Sequence, residues 1–167
     1  MIKYFIFSTL LVSLSAIAAD GLPDPIRTPG VINSNVTQAN IGETICKKGW
    51  TKTIRPSASL TNRLKSKQMA ELGLTGNPSD YEEDHLISLE LGGHPTDPKN
   101  LWPQPWNGEW GARKKDVIET YLKRQVCAGK ITLVDAQHWI ATDWIATYKK
   151  FKKPVALPGM KKVQSSK

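Results

Sequence analysis

The sequence predicts an α+β domain, and three observations carry that expectation. An apolar stretch from His85 to Leu89 and a second short one from Asn100 to Trp102 flank the turn-rich "GGHPTDPK", which reads as a hairpin. A long amphipathic helix follows, from about Gly111 to Cys127. Val117, Ile118, Tyr121, Leu122 and Val126 recur at helical spacing there, and Gly129 ends it. Another helix begins after Thr132, where Asp135 stands three residues on in a capping-box-like arrangement. Its buried face is expected to hold Val134, Ala141, Ile145 and Tyr148, broadened by Ile140 and Trp144.

The chain of 167 residues suits one domain. Its first 19 residues read as a secretory signal peptide: Lys3, an apolar run from Tyr4 to Leu14, and the small residues Ala16, Ala18 and Ala19. The run is shorter than the roughly 20 apolar residues a membrane span needs. The expected product is secreted or periplasmic, with no stable membrane insertion after cleavage. Removing Lys3 lowers the formal charge from +8 by one, to +7, and a basic surface suits phosphate-rich partners. Residues 20–35, rich in Pro and Gly, read as an extended linker, residues 36–151 as the domain, and residues 152–167 as a basic disordered tail.

Within the domain, "VTQANIGETIC" reads as a short helix with Thr37 as a cap. "GWTKTIRP" reads as a short strand or loop ending at Pro56. "SASLTNRLKSKQMAELG" reads as a helix capped at Ser59 or Thr61 and stopped by Gly73. Cys46 and Cys127 are the two cysteines. In an oxidising compartment an even pair suggests a disulfide, and the close Cys-x-x-Cys spacing of a zinc module is missing.

Chemistry concentrates where Asp84 meets His85. Aspartate is a hard oxygen ligand for Mg²⁺. Histidine titrates near neutrality and can take a proton from water. "DHLISLELGG", then "NLWP", then a basic helix resemble the HNH, or ββα-metal, nuclease superfamily. A wider likeness to small secreted bacterial HNH-type proteins runs from "TICKKGWTKTIRP" to "AQHWIATDWIATY".

The resemblance implies a ββα-metal core with additional flanking helices. It also implies a metal-dependent endonuclease acting on DNA, or on RNA. Asp84 would bind the divalent ion, Mg²⁺ foremost, with Mn²⁺ or Zn²⁺ as substitutes. His85 would be the general base, and Asn100 would brace the hairpin and orient His85. The family places a His or Asn early on the following helix as a further ligand, whereas this helix opens "GARKKD". Asn107 and Glu109, just upstream, are the substitutes that offer oxygen. Arg113, Lys114 and Lys115 are the expected contacts to a nucleic-acid backbone. His94 is expected to cap its loop. The rival reading is a catalytically inactive nucleic-acid-binding module on the same scaffold.

Overall fold

A computed structural model describes residues 21–151. The signal peptide and the basic tail expected from the sequence lie outside the described residues. Among the described residues the fold is α+β, with one two-stranded antiparallel sheet and four α-helices. In chain order these are α1 (Trp50–Ile54), α2 (Ala58–Glu71), β1 (Tyr81–His85), β2 (Leu101–Pro105), α3 (Ala112–Cys127) and α4 (Leu133–Phe151). Among the described residues no helix is long and apolar enough to cross a membrane.

Both strands are shifted from their expected positions. β1 ends at His85 instead of beginning there, and the apolar residues after it form a 3-10 turn at Leu89–Leu91. β2 continues through Pro103 and Pro105, which the sequence reading takes as strand-enders. The register explains why the prolines are tolerated. Tyr81 opposes Pro105, Glu83 opposes Pro103 and His85 opposes Leu101. The amide of Leu86 donates to the Asn100 carbonyl (2.8 Å) and that of Trp106 to Asp80 (2.9 Å). Counting inward from these, residues 101, 103 and 105 fall on the non-hydrogen-bonded pairs of the antiparallel ladder. Their nitrogens point away from β1, so a missing N–H costs no ladder bond.

The Gly-Gly turn is used at both positions. Gly92 closes the 3-10 turn at φ +75°, where a side chain would be strained. A Cβ on Gly93 would stand 1.7 Å from the Ile87 carbonyl oxygen. The segment expected to be a linker is tied to this loop. Gly30 N–H donates to Lys99 (3.0 Å), Ile32 bridges Gly93, and Thr28 is buried.

α1 replaces the expected strand or loop at "GWTKTIRP", and Arg55 turns extended ahead of Pro56, as a residue preceding proline does. α2 starts one turn earlier than expected, with Ser57 at the N-cap, and ends as expected. Gly73 is left-handed, and Leu74 N–H reaches back to Met69 (2.9 Å). Thr37 keeps its expected cap, though over a 3-10 turn: its N–H donates to Asn40 Oδ1 (2.8 Å).

α3 and α4 agree closely with the expected spans. Thr132 Oγ1 accepts from Asp135 N–H (3.1 Å), and the two side chains hydrogen-bond at 2.6 Å. Their faces differ in detail. Ile118, Leu122 and Val126 are buried, but Val117 is 57% exposed; on α4, Leu133, Ala136, Ile140 and Trp144 are buried and Val134 is 68% exposed. Leu86, Ile87, Leu91 and Trp102 complete the core between hairpin and helices.

Cys46 and Cys127 form a disulfide, with Cα atoms 5.7 Å apart and a sequence separation of 81. It links the segment before α1 to the end of α3. Closing so long a loop stabilises by about 4–5 kcal/mol in the chain-entropy model. Cys46→Ser with Cys127→Ser is therefore expected to lower the urea midpoint strongly without altering the far-UV spectrum. An unchanged midpoint would show that the bridge adds nothing to stability.

Candidate functional site

The site lies where β1 ends against the first turns of α3. Asp84 and His85 are both buried. Asp84 Oδ1 accepts from the His85 N–H (2.8 Å) and Oδ2 from Lys115 Nζ (2.8 Å). The same ammonium donates to the His85 carbonyl (2.6 Å) and to Glu119 Oε1. Three oxygens from two elements thus surround one cation, and Lys115 is 0% exposed. Burial acts against that charge. The charges of Asp84 and Glu119, and their hydrogen bonds, outweigh it and hold the Lys115 pKa above its ordinary value. Burial also raises the Glu119 carboxyl against the pull of Lys115.

His85 is fixed from the other side. Its Nε2 lies 2.9 Å from the Pro95 carbonyl oxygen. A carbonyl can only accept, so Nε2 carries the proton and Nδ1 holds a lone pair. No hydrogen bond within the described residues engages Nδ1. Burial lowers the His85 pKa, which the Pro95 bond and the Asp84 charge only partly oppose, so the imidazole is neutral at neutral pH.

Asn100 is fully buried and uses all of its side-chain hydrogen-bonding groups. Oδ1 accepts from Ile87 N–H (3.0 Å) and Val31 N–H (3.3 Å), while Nδ2 donates to the carbonyls of Ile87 and His94 (both 3.0 Å). One amide therefore gathers the start of the loop, its end, and the N-terminal segment. Pro95, which holds the imidazole, follows directly after His94. His94 itself caps the loop, accepting at Nδ1 from the amides of Thr96 (3.3 Å) and Asp97 (3.0 Å).

Asn107 and Glu109 are placed elsewhere. They line a cavity of about 420 Å³ beyond the far end of β2, with Asp143 and Lys149, and neither is hydrogen-bonded to Asp84 or His85. Of the three expected backbone contacts, Arg113 is exposed and Lys114 lies over the Trp110 ring (4.7 Å). Lys115 turns inward and cannot meet a ligand at the surface. Among the described residues, no group of three or more His, Cys, Asp or Glu side chains is arranged to hold a metal ion.

Sequence reasoning takes Glu82 as part of an acidic run that could bias the site toward a cation, and it missed Asp116, Glu119 and Arg55 as neighbours of this site. Burial, with the charges of Asp84 and Asp116, raises Glu82 to about 7. Burial and Asp84 also raise Asp116. The Arg55 charge lowers both and lowers His85 as well. The signal for Glu119 was its spacing of four residues from Lys115 on one helix, whereas Asp116, at the next position, carried none. Arg55 carried no signal beyond its place before a proline.

Glu83, one residue before the site, is buried with neither carboxylate oxygen hydrogen-bonded. Burial raises its pKa to about 8, although Lys65 pulls it down. A raised carboxyl pKa gives stability that is present below the unfolded value of 4.5 and lost as pH rises through about 8. The wild-type thermal midpoint is expected to fall between about pH 5 and about pH 9. Glu83→Gln is expected to flatten that fall. Parallel profiles for the two proteins would show that Glu83 does not titrate in this window.

No family model, curated protein or solved structure matches this chain.

Proposed function

We propose that the chain is an exported, metal-dependent endonuclease of the ββα-metal (HNH) type, hydrolysing phosphodiester bonds of nucleic acid, DNA foremost. The observation that carries this reading is the tautomer of His85. Its Nε2 proton is held by the Pro95 carbonyl, and its Nδ1 lone pair is unengaged in a neutral ring. That is the form a general base needs to take a proton from water. Asn100 supports it by pinning the loop that carries Pro95. Arg55 is an exposed guanidinium whose charge reaches His85, and such a group suits a phosphate oxygen. The Cys46–Cys127 disulfide fits an oxidising compartment.

The donor set suits a hard cation only in a limited way. Mg²⁺ retains waters and binds through one or two carboxylates together with substrate phosphate, so it requires no cage of protein ligands. Asp84 would hold it, with Asp116 the neighbouring surface carboxylate; each Asp84 oxygen accepts one hydrogen bond and keeps a second lone pair. When bound, the ion supplies charge stabilisation on the phosphate and the leaving oxygen. The chain's own groups do the rest. His85 Nδ1 takes the proton, Pro95 keeps the ring oriented, and Lys115 fixes both Asp84 and the His85 carbonyl.

One observation favours a second reading, a nucleic-acid-binding module without catalysis: Asp84 already has Lys115 as its counter-ion. A plasmid-nicking assay on the purified protein separates the two. Nicking with Mg²⁺ or Mn²⁺, stopped by chelation, is expected. DNA binding with no cleavage in either ion would establish the binding module instead.

A further inference from the structure

The cavity holding Asn107 and Glu109 is assembled from three distant parts of the chain. Gly21 forms one wall. Its φ of +74° suits glycine, and a Cβ there would stand 2.3 Å from Trp110 Cβ. Trp144 Nε1 locks it in place by donating to the Gly21 carbonyl (2.8 Å). A second wall is the break in α4 at Asp143, whose φ of −162° and ψ of 93° interrupt the helix while its Oδ1 caps Ala146 (2.8 Å). The third is the loop from β2 to α3, which carries Asn107, Glu109 and Trp110.

Trp110 and Lys149 both line the cavity, and the Trp110 indole holds two ammonium groups. Lys114 Nζ is 4.7 Å and Lys149 Nζ 4.9 Å from its centroid. Cation–π attraction favours each singly. The two ammoniums put a concentration of positive charge about one indole, which favours an anion beside it. The lining also includes an amide residue, Asn107, and two carboxylate residues, Glu109 and Asp143. Those groups repel a second anion but accept hydrogen bonds from amino groups. A ligand that is anionic at one end and bears an amino-substituted heterocycle at the other fits both halves.

We propose that this cavity is a nucleotide subsite. Lys114 and Lys149 take a phosphate, and Asn107 and Glu109 read a base that carries an exocyclic amino group. The inference deepens the endonuclease reading and rests on it for the strand to which the nucleotide belongs. Gln104 shares the face of Asp84 by strand alternation, and its Nε2 donates to the Trp110 carbonyl (3.3 Å), so the loop folds over that same face. Pro105 is three residues along β2 from Trp102, the partner of Asp84. At about 3.3 Å per residue the separation is about 10 Å. That is about three base steps at 3.4 Å each in a stacked strand, which places the subsite about three nucleotides from the cleaved bond.

The test is titration of the full protein, with chelator present so that no cleavage occurs. The probes are dCMP, dGMP, dTMP and inorganic phosphate, and the readout is the indole N–H resonance of Trp110. Saturable shifts with dCMP or dGMP are expected, at affinities about tenfold above those for dTMP, which lacks the amino group, and for inorganic phosphate. Lys149→Glu is expected to weaken nucleotide binding about tenfold, Glu109→Gln to erase the preference over dTMP, and Lys52→Glu on α1 to change nothing. Equal binding of inorganic phosphate and nucleotide would overturn the base-reading half. Titrations unaltered by Lys149→Glu and Glu109→Gln would overturn the subsite altogether. These measurements contain no catalytic step, so a protein that binds nucleotide here and never nicks DNA sinks the endonuclease reading alone. A protein that nicks DNA without binding nucleotide here sinks only the subsite.

Discussion

Lys115→Met is expected to lower the unfolding free energy by about 3–5 kcal/mol, the usual cost of removing one partner of a buried ion pair. The neighbouring Lys114→Met is expected to stay within about 0.5 kcal/mol. The difference follows from burial. Lys114 is a surface group resting on Trp110, whereas the Lys115 ammonium is enclosed and bonded to Asp84, Glu119 and the His85 carbonyl. Methionine matches its length and supplies no charge. Asp84 and Glu119 are then left as buried carboxyls without a counter-ion.

The sign of the pH dependence tests that cause. In Lys115→Met the Glu119 carboxyl keeps the upward push of burial and loses the opposing charge of Lys115, so the folded protein holds a proton that the unfolded chain releases. Stability is then present in acid and lost as pH rises past the ordinary carboxylate range. The deficit against wild type, measured by urea unfolding, is expected to be small near about pH 4 and large near about pH 8. Adding Glu119→Leu is expected to recover part of it, because an apolar pair of similar volume needs no counter-ion. A deficit independent of pH would mean that Lys115 acts through packing of its methylene stem.

Lys115 also shows where reading the sequence stops. In "RKKD" three basic residues stand in a row, and successive helix positions turn by about 100°. Composition marks the run as basic and says nothing of which member faces inward. Only the packing of α3 on the hairpin sends position 115 to Asp84 and leaves 113 and 114 outside. The strands failed for a related reason. "YEEDH" is acidic and does not look like a strand, while "LISLEL" after it does. The pairing is set by the opposite chain, "LWPQP", whose prolines stand at register positions where they need no N–H. Period-2 patterning carries no trace of that.

What was legible had local causes. Gly129 and the Thr132–Asp135 pair fix the junction of α3 and α4 through capping alone. Gly92 and Gly93 could be assigned to a turn because few residues satisfy those backbone demands, whereas the bracing role of Asn100 was only what the resemblance to HNH proteins implied. The pairing of Cys46 with Cys127 followed from having two thiols and an expected export signal. Asn107 and Glu109 lie close to the site in sequence and away from it in space, because β2 runs on through Pro105 before the chain turns.

His85→Ala is expected, on the proposed endonuclease reading, to reduce nicking by about 10²–10⁴, the range general-base loss commonly spans. The fold should survive. The hairpin is held by the β1–β2 ladder and by Asn100, and the imidazole contributes one hydrogen bond, to Pro95. Wild-type protein supplies the sharper measurement. The base must be neutral to act, so kcat/KM rises with pH through the pKa of His85 and levels off above it. Burial lowers that pKa below 6.5, which sets the acid limb of the profile below that pH. Asn100→Ala releases the loop carrying Pro95, so the ring loses its anchor and gains access to water. The acid limb should then move up toward 6.5 as kcat falls. A purely structural asparagine would lower the yield of folded protein and leave the pKa of the remaining activity in place. If His85→Ala nicks plasmid as fast as wild type under the same Mg²⁺, the imidazole is not the base, and the case for catalysis at this hairpin falls with it.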